Sequence, residues 1–243
     1  MPSHHLSRRI ANRLLRYRGL SIGRSTIDDA DPRSSLLVDA KIRSVVDVGA
    51  NIGQYGRTVR CAGFDGPILS VEPQSEAFAQ LSTAASLDAK WHVVRCALGS
   101  SDGEVDLNIS GNSLSSSVLP MLEMHSSNAP TSVYVDTERV PLRRLDDVVK
   151  EQGIQGPLHL KLDVQGYELA VLSGALESTR LAGSMELEMS FVPLYEGQAD
   201  FLSLLDRITA LGFEFYDVVP GFRATNGRLL QIDGLFIRKQ VAT

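Results

Sequence analysis

The chain has 243 residues, of which 43% are hydrophobic and 22% charged, so it can bury one sizeable core and gives no indication of disorder. Its formal net charge of −5 provides no overall positive field for nucleic acid, which disfavours a polynucleotide substrate. Its two cysteines, Cys61 and Cys96, form no ligand cluster, and both are expected to be reduced and buried, which fits a cytoplasmic location.

A basic arm precedes the main domain. Residues 1–24 contain six arginines and no acid, and their apolar residues recur at helical spacing, which predicts a short amphipathic helix. Such a helix could lie on an anionic membrane surface, giving a peripheral location at the inner membrane face, or it could pack on its own domain or a partner subunit. A signal peptide is not indicated, because a continuous apolar segment and a cleavage site are both missing. We place the arm at residues 1–35 and the main domain at residues 36–243.

From residue 44 onward, short β-branched runs alternate with helical patterns, as in a parallel sheet flanked by helices. Residues 104–140 interrupt this alternation with a predicted two-stranded insertion whose Ser- and Asn-rich tip is expected to be a lid, a binding loop or disordered. The last two strands are joined by a short connection, so they must be antiparallel to each other. This order predicts the α/β, Rossmann-like fold of class I methyltransferases, a mostly parallel seven-stranded sheet with a terminal antiparallel hairpin and helices on both faces. The predicted strands are 44–48, 67–71, 92–96, 158–163, 184–190, 214–219 and 234–238, and the predicted helices are 53–62, 74–85, 142–151, 168–176 and 201–211.

The first strand ends in a carboxylate and a glycine turn, Asp47-Val-Gly49-Ala-Asn51-Ile-Gly53. Glycines there would let the backbone approach a ligand, because a Cβ at Gly49 or Gly53 would fill the space. The Gly-x-x-x-Gly spacing differs from the Gly-x-Gly-x-x-Gly of dinucleotide sites and favours S-adenosylmethionine over NAD. Asp47 would then orient the amino-acid part of that cofactor. In the structural alternative, Asp47 caps the turn and the glycines only allow tight packing.

The next two strand ends supply the remaining cofactor contacts. Ligands of open parallel sheets bind at the carboxyl ends of the strands, where Glu72 could accept hydrogen bonds from both ribose hydroxyls. Cys96, Ala97 and Leu98 would provide apolar contact for the adenine, and Asp102 or a backbone group would meet its exocyclic amine. The same third-strand residues would serve equally as a buried strand and its turn.

The fourth strand leads into Lys161-Leu-Asp163-Val-Gln-Gly-Tyr-Glu168. Asp163 and Glu168 are expected to face the crevice beside the sulfonium, where a carboxylate could stabilise the cation, position an acceptor hydroxyl or remove its proton. Asp163 is the preferred base, with Glu168 and Glu188 as supporting acids. Alternatively, Glu168 caps its helix and Lys161 forms a salt bridge.

Two other kinds of catalytic group are weighed against these acids. Oxygen ligands suit Mg²⁺, so Asp163, Glu168 and Glu188 permit a divalent metal, but their spacing fits no metal motif and a metal is not favoured. His125, in the insertion, could fold over the site as a base, but we expect a lone loop histidine to be solvated.

Five motifs, in this order, resemble the FkbM family of methyltransferases. They are Asp-x-Gly-Ala-Asn-x-Gly (47–53), Glu-Pro (72–73), Ala-Leu-Gly (97–99), Leu-Lys-Leu-Asp-Val-Gln-Gly-Tyr-Glu (160–168) and Leu-Tyr-Glu-Gly-Gln (194–198), within a similarity covering residues 44–239. The resemblance implies an O-methyltransferase that uses S-adenosylmethionine, releases S-adenosylhomocysteine and acts on a hydroxyl of a sugar, glycolipid or polyketide-type acceptor. It implies a reaction centre with Asp163 and Glu168, and a segment, 190–198, that overhangs the acceptor. It also implies that the cofactor residues include Asp47, Gly49, Asn51, Gly53 and Glu72.

Two other functions remain open at this point. An NAD-dependent oxidoreductase could use the same sheet and Glu72, but it would need a hydride-polarising Tyr/Lys pair or a second substrate domain, and neither is found. A non-catalytic cofactor-binding or membrane-docking module would use the basic arm as its working part. If the protein is an enzyme, the arm and the loop at 113–128 could bring it to a lipid-linked glycan at the membrane.

Overall fold

The computed structural model describes residues 31–239, so the predicted basic helix of residues 1–24 lies outside the described residues. The compact unit begins at Pro32 with helix α1 (Pro32–Asp39), in which Leu36 and Leu37 are buried. The helix begins before the expected boundary at residue 36, and its buried apolar side chains lie at and just after that boundary.

Within residues 31–239, seven strands form one sheet in the order β3-β2-β1-β7-β8-β10-β9. All neighbouring strands are parallel except β10, which runs antiparallel to both β8 and β9. The predicted class I methyltransferase fold is thus confirmed, with the last strand inserted between its two predecessors. The order reverses at β1, so a crevice opens between the connections that leave β1 and β7. The strands are β1 Ser44–Val48, β2 Ile68–Val71, β3 Trp91–Val94, β7 Leu158–Leu162, β8 Ala182–Ser190, β9 Phe213–Pro220 and β10 Gln231–Arg238.

Helices cover both faces of this sheet, because alternate residues of each buried strand point to opposite sides. Val45 belongs to the core on one face, with Tyr55, whereas Val46 and Val48 belong to the core on the other, with Leu145. Two predicted helices differ by more than one residue at an end. The 142–151 helix starts at Leu145 because residues 142 and 143 complete a strand, and the 168–176 helix ends at Ser173, after which a second helix follows. The helices are α2 Gln54–Cys61, α3 Ser75–Ala85, α5 Leu145–Glu151, α6 Glu168–Ser173, α7 Leu176–Leu181 and α8 Phe201–Ala210.

The insertion forms a second, three-stranded sheet. Strand β6 (Tyr134–Arg143) pairs antiparallel with β5 (Gly103–Ser110) and parallel with β4 (Ala97–Leu98). The tip between β5 and β6 contains helix α4 (Glu123–Asn128) and is tied to the rest of the domain by a bridge from Met121 to Tyr195.

Three expectations about accessibility can be checked in this fold. His125 is buried in α4 against Tyr195 and Phe222, so the expected solvated loop histidine is wrong. Cys96 is buried as predicted, but Cys61 is exposed because it ends α2. No helix in the described part of the chain is long and apolar enough to span a bilayer.

Candidate functional site

A cavity of about 490 Å³ opens at the carboxyl ends of β1, β2, β4 and β7. This lies in the range typical of small-molecule sites and stands where the strand order reverses. Seven of the residues predicted to bind cofactor or catalyse line it, namely Gly49, Asn51, Glu72, Cys96, Ala97, Leu98 and Asp163. Five predicted site residues do not line it, namely Asp47, Gly53, Asp102, Glu168 and Glu188.

Glu72, at the end of β2, is the buried acid of this cavity. Its Oε2 accepts the backbone N–H of Asn51 and its Oε1 that of Gln74, each at 2.8 Å. Burial raises the pKa of Glu72 to about 7, although these two hydrogen bonds lower it. Each carboxylate oxygen keeps a further acceptor position, so Glu72 can receive two more donors, as a ribose diol would provide.

The glycine turn is explained by packing within the protein. Gly49 and Gly53 adopt φ values of +77° and +85°, which side chains rarely tolerate. A Cβ at Gly49 would lie 1.8 Å from the backbone oxygen of Asp163, and one at Gly53 would lie 3.0 Å from Leu81 and 3.1 Å from Trp91. The expectation that a ligand needs this space is therefore corrected: neighbouring strands and side chains need it, as in the structural alternative.

Asp47 lies beneath the cavity and is shielded from it by Lys161. The two residues are partners across β1 and β7, and the Lys161 Nζ lies 3.5 Å from Asp47 Oδ1. Asp47 is fully buried, and burial raises its pKa, although Lys161 lowers it. Asp47, predicted to orient the amino-acid part of the cofactor directly or through water, does not line the cavity, whereas Lys161 does.

Asp163, just after β7, presents the most accessible carboxylate of the group. Its side chain is 35% exposed; Oδ2 lies 3.2 Å from Lys161 Nζ, and Oδ1 accepts a hydrogen bond from Gln165 Nε2 at 2.8 Å. Gln165 Nε2 also donates to Glu188 at 3.0 Å, and Gln165 Oε1 accepts from the Tyr195 hydroxyl at 2.6 Å. Gln165 therefore separates the two acids and holds the orientation of Asp163.

The other two predicted catalytic acids do not line the cavity. Glu168 accepts the backbone N–H groups of Val164 and Gly166, each at 3.2 Å, so the capping alternative describes its position. Burial raises the pKa of Glu168 to about 7. Burial, followed by the negative charges of Asp163 and Glu168, raises the pKa of Glu188 well above its ordinary value. Residues 31–239 contain no group of three acids, histidines or cysteines placed to hold a metal ion.

At the end of the cavity where the adenine is expected, one residue lies elsewhere than predicted. Cys96, Ala97 and Leu98 are buried and line the cavity, giving it an apolar wall beyond Glu72. Asp102 does not line it; its Oδ1 accepts the backbone N–H of Arg144 at 3.1 Å and so fixes the turn after β4.

The insertion covers part of the cavity. The sequence predicts a lid or binding loop there only from the length and composition of the segment. Residues 113 and 116–118 line the cavity together with Leu114. Asn51 Nδ2 donates to the carbonyl of Ser113 at 3.2 Å, and Ser117 Oγ donates to that of Gln165 at 2.8 Å. These hydrogen bonds connect the cover to both strand-end turns. Tyr195, in the segment at 190–198 that is expected to overhang the acceptor, is fully buried.

Two further lining residues were not predicted, because their partners are distant in sequence. The Arg33 guanidinium binds Glu186 at 2.8 Å and Asp233 at 2.7 Å, and the Tyr55 hydroxyl donates to Glu186 at 3.0 Å and lies 2.7 Å from His159 Nε2. Burial alone would raise the pKa of Glu186, but His159 and Arg33 lower it to about 2. This buried network fixes α1 and α2 at the cavity wall.

The residues present fit S-adenosylmethionine. Glu72 offers two acceptors for a ribose, the wall at residues 96–98 suits an adenine, and Lys161 offers a positive charge for the carboxylate of an amino-acid end.

Comparisons with known proteins identify the family. The model of the methyltransferase FkbM domain matches residues 47–215. The 2-O-methyltransferase NoeI of Sinorhizobium fredii is 26% identical over 214 residues, covering 82% of this chain and 86% of that protein. Among solved structures, Aeropyrum pernix fibrillarin with natively bound S-adenosyl-L-methionine has a TM-score of 0.47 at 13% identity, covering 81% of this chain and 66% of that one. Magnesium protoporphyrin IX methyltransferase from Synechocystis PCC 6803 has a TM-score of 0.46 at 11% identity, covering 97% and 96%.

Proposed function

Since this chain belongs to the FkbM methyltransferase family and is an S-adenosylmethionine-dependent methyltransferase, we propose that it methylates a hydroxyl of a sugar, glycolipid or polyketide-type acceptor. The Sinorhizobium relative is a 2-O-methyltransferase, which supports transfer to oxygen. Membership of this family argues against both the NAD-dependent oxidoreductase and the non-catalytic module.

The observation that carries this proposal is Asp163. A hydroxyl is a poor nucleophile until its proton begins to leave, and a carboxylate at the reaction centre can accept that proton. Asp163 lines the cavity, and its two oxygens are held from one side by Lys161 and Gln165. The remaining acceptor positions can receive the proton of an acceptor hydroxyl. The bound cofactor supplies an electrophilic methyl group on a sulfonium.

Glu168 and Glu188 support Asp163 from a distance. Glu168 fixes the turn that leads from Asp163 into α6 through its hydrogen bonds to Val164 and Gly166. Glu188 shares the Gln165 amide with Asp163 and so holds that amide in place. We therefore assign both acids to positioning and Asp163 to the proton transfer.

The proposed cofactor contacts come from the ends of the neighbouring strands. Glu72 binds the ribose, and Ala97 and Leu98 pack on the adenine. Gly49, Gly53 and Asn51 shape the turn between β1 and α2, with the Asn51 backbone N–H holding Glu72 in place. Asp47 acts through Lys161.

The test is transfer of a ¹³C-labelled methyl group from the cofactor to extracts of cells that lack the gene. We expect labelled product in the glycolipid, sugar or polyketide fraction of the extract, with the label on oxygen. The Asp163→Asn variant should bind cofactor but form little product. Labelled methyl on nitrogen or carbon would contradict the proposal.

Membrane contact through the arm is a separate part of the proposal. Arginines in residues 1–24 would be attracted to anionic headgroups. Deleting residues 1–24 should reduce binding to phosphatidylglycerol vesicles and turnover of a lipid-borne acceptor, while activity on a soluble analogue persists. Replacing the six arginines by glutamine keeps the length of the arm and should have the same effect. Equal loss on both acceptors would contradict membrane contact.

A further inference from the structure

Lys161 is a nearly buried cation whose ammonium is incompletely satisfied by the protein. It is 9% exposed and lines the cavity. Burial alone would lower the pKa of Lys161, but Asp163 and Asp47 raise it well above the ordinary value, so the side chain is charged. An ammonium has three N–H donors. Within residues 31–239 it makes one hydrogen bond, to Asp163, and a longer contact of 3.5 Å to Asp47.

A buried donor without an acceptor is costly, and this one can find an acceptor only in the cavity. Asp47 lies below the cavity floor and Asp163 to one side. The Tyr55 ring closes another direction, with its centroid 5.3 Å from the Lys161 Nζ. The remaining donors therefore face the cavity, where they can bind an acceptor atom of a bound molecule.

The position of Lys161 in the sheet indicates which part of the cofactor supplies this acceptor atom. Glu72 follows β2 and Lys161 lies on β7, with β1 between them, so the two strands are roughly 10 Å apart. If the ribose binds at Glu72 and the adenine beyond it at β4, the methionyl tail extends over β1 toward β7. The end of that tail carries a carboxylate and an ammonium on one carbon. The carboxylate has the charge opposite to that of Lys161, which lines the cavity on the far side of β1 from Glu72.

We propose that Lys161 is a cofactor-binding residue whose ammonium binds the α-carboxylate of the methionyl part of S-adenosylmethionine. This assigns to Lys161 the role that the sequence pattern suggested for Asp47. Asp47 is then the buried counter-charge that holds Lys161 in place. The inference concerns the cofactor alone and does not depend on which acceptor is methylated.

The test compares two nucleosides by isothermal titration without any acceptor. S-adenosylhomocysteine carries the amino-acid tail, and 5′-methylthioadenosine lacks it. In the unaltered protein, S-adenosylhomocysteine should bind more tightly. In Lys161→Met this preference should fall on the order of tenfold to a hundredfold, the value of one hydrogen bond between charged groups, while the affinity for 5′-methylthioadenosine persists. Lys150→Met, which removes the same charge from an exposed position outside the cavity, should keep the preference.

Removing Lys161 leaves Asp47 buried without a counter-charge, so the fold needs its own control. The double variant Lys161→Met/Asp47→Asn removes both charges and should show the same loss of preference. Lys161→Arg keeps a cation and should restore part of it. Binding of 5′-methylthioadenosine reports an intact nucleoside site in every variant.

Three results would overturn the assignment. The preference for S-adenosylhomocysteine could survive in Lys161→Met, both nucleosides could weaken equally, or the single and double variants could both lose 5′-methylthioadenosine. If the unaltered protein binds neither nucleoside, both the role of Lys161 and the assignment of S-adenosylmethionine as cofactor are overturned. None of these results bears on the acceptor, which the labelled-methyl experiment tests separately.

Discussion

Substituting Glu72 by glutamine tests how the cavity recognises a ribose. Glu72 is 6% exposed, and burial raises its pKa to about 7. Two ribose hydroxyls can donate to the ionised carboxylate but not equally well to the neutral acid. Binding therefore favours ionisation, and affinity should rise with pH up to the pKa of the free protein. In Glu72→Gln this dependence should disappear, since an amide does not titrate.

The magnitude follows from the ionised fraction of Glu72. With a pKa of about 7, this fraction falls from roughly three quarters at pH 7.5 to a few per cent at pH 5.5, so the affinity for S-adenosylhomocysteine should fall by up to about 25-fold. Near pH 6, binding should release about one proton more from the unaltered protein than from Glu72→Gln. Titrations in buffers of different ionisation enthalpy measure that number.

Glu168→Gln is the matched control for this titration. Its pKa is also raised to about 7 by burial, but its carboxylate caps a turn and does not line the cavity. Its Oε1 receives both backbone hydrogen bonds, and a glutamine oxygen can replace it there. The control should therefore keep the proton release. Equal proton release by Glu72→Gln and the unaltered protein would refute the role of Glu72.

The stability of the free protein should depend on pH in the opposite direction from the affinity: it should fall as the pH rises. The pKa of Glu72 in the folded protein lies above its ordinary value of 4.5, so its contribution to stability is present below pH 4.5 and is lost as the pH rises through 7. The loss is about 3 kcal/mol, from a pKa difference of about 2.5. The free energy of unfolding of Glu72→Gln, relative to the unaltered protein, should thus improve by about that amount between pH 4.5 and 7 in urea titrations. An unchanged difference across this range would contradict the raised pKa.

Three further substitutions test other parts of the site. Asp163→Asn should lower the turnover of an accepted hydroxyl substrate by about 10²- to 10⁴-fold while S-adenosylhomocysteine still binds, and unchanged turnover would exclude Asp163 as the base. Gly49→Ala should destabilise the fold on the order of 3 kcal/mol or more in urea unfolding, because its Cβ would lie 1.8 Å from a backbone oxygen, and a near-neutral effect would contradict that packing. Tyr195→Phe removes the donor to Gln165 Oε1 and should cost about 1 kcal/mol of stability, measured in the same way; a cost below the error of the titration would show that this hydrogen bond is not needed.

The fold could be predicted from the sequence because its buried strands leave a clear local pattern. All five residues of β1 are buried, and the run Ser44–Val48 is bounded by turn residues as a central strand should be. Helix ends were less predictable where tertiary pairing decides them. Residues 142 and 143 continue β6 because β5 and β4 pair with it, and no local signal marks that pairing.

The sequence predicts which strand ends form the site, but it does not predict the contacts between their side chains. Glu72 and Asp163 follow strands that end at one edge of the sheet, so their proximity to one cavity follows from topology. Lys161 was treated only as a salt-bridge partner, because sequence spacing shows that it shares a face with Asp163 but not that it covers Asp47. The role of Gln165 depends on Tyr195, 30 residues away, and could not be read from either motif alone.

The central claim is that one cavity at the ends of β1, β2 and β7 binds S-adenosylmethionine. A crystal structure of the protein with S-adenosylhomocysteine tests it most directly. We expect both ribose hydroxyls within hydrogen-bond distance of the Glu72 carboxylate and the nucleoside beside the turn at Gly49. A nucleoside bound elsewhere, or a Glu72 side chain directed away from the ribose, would contradict the claim.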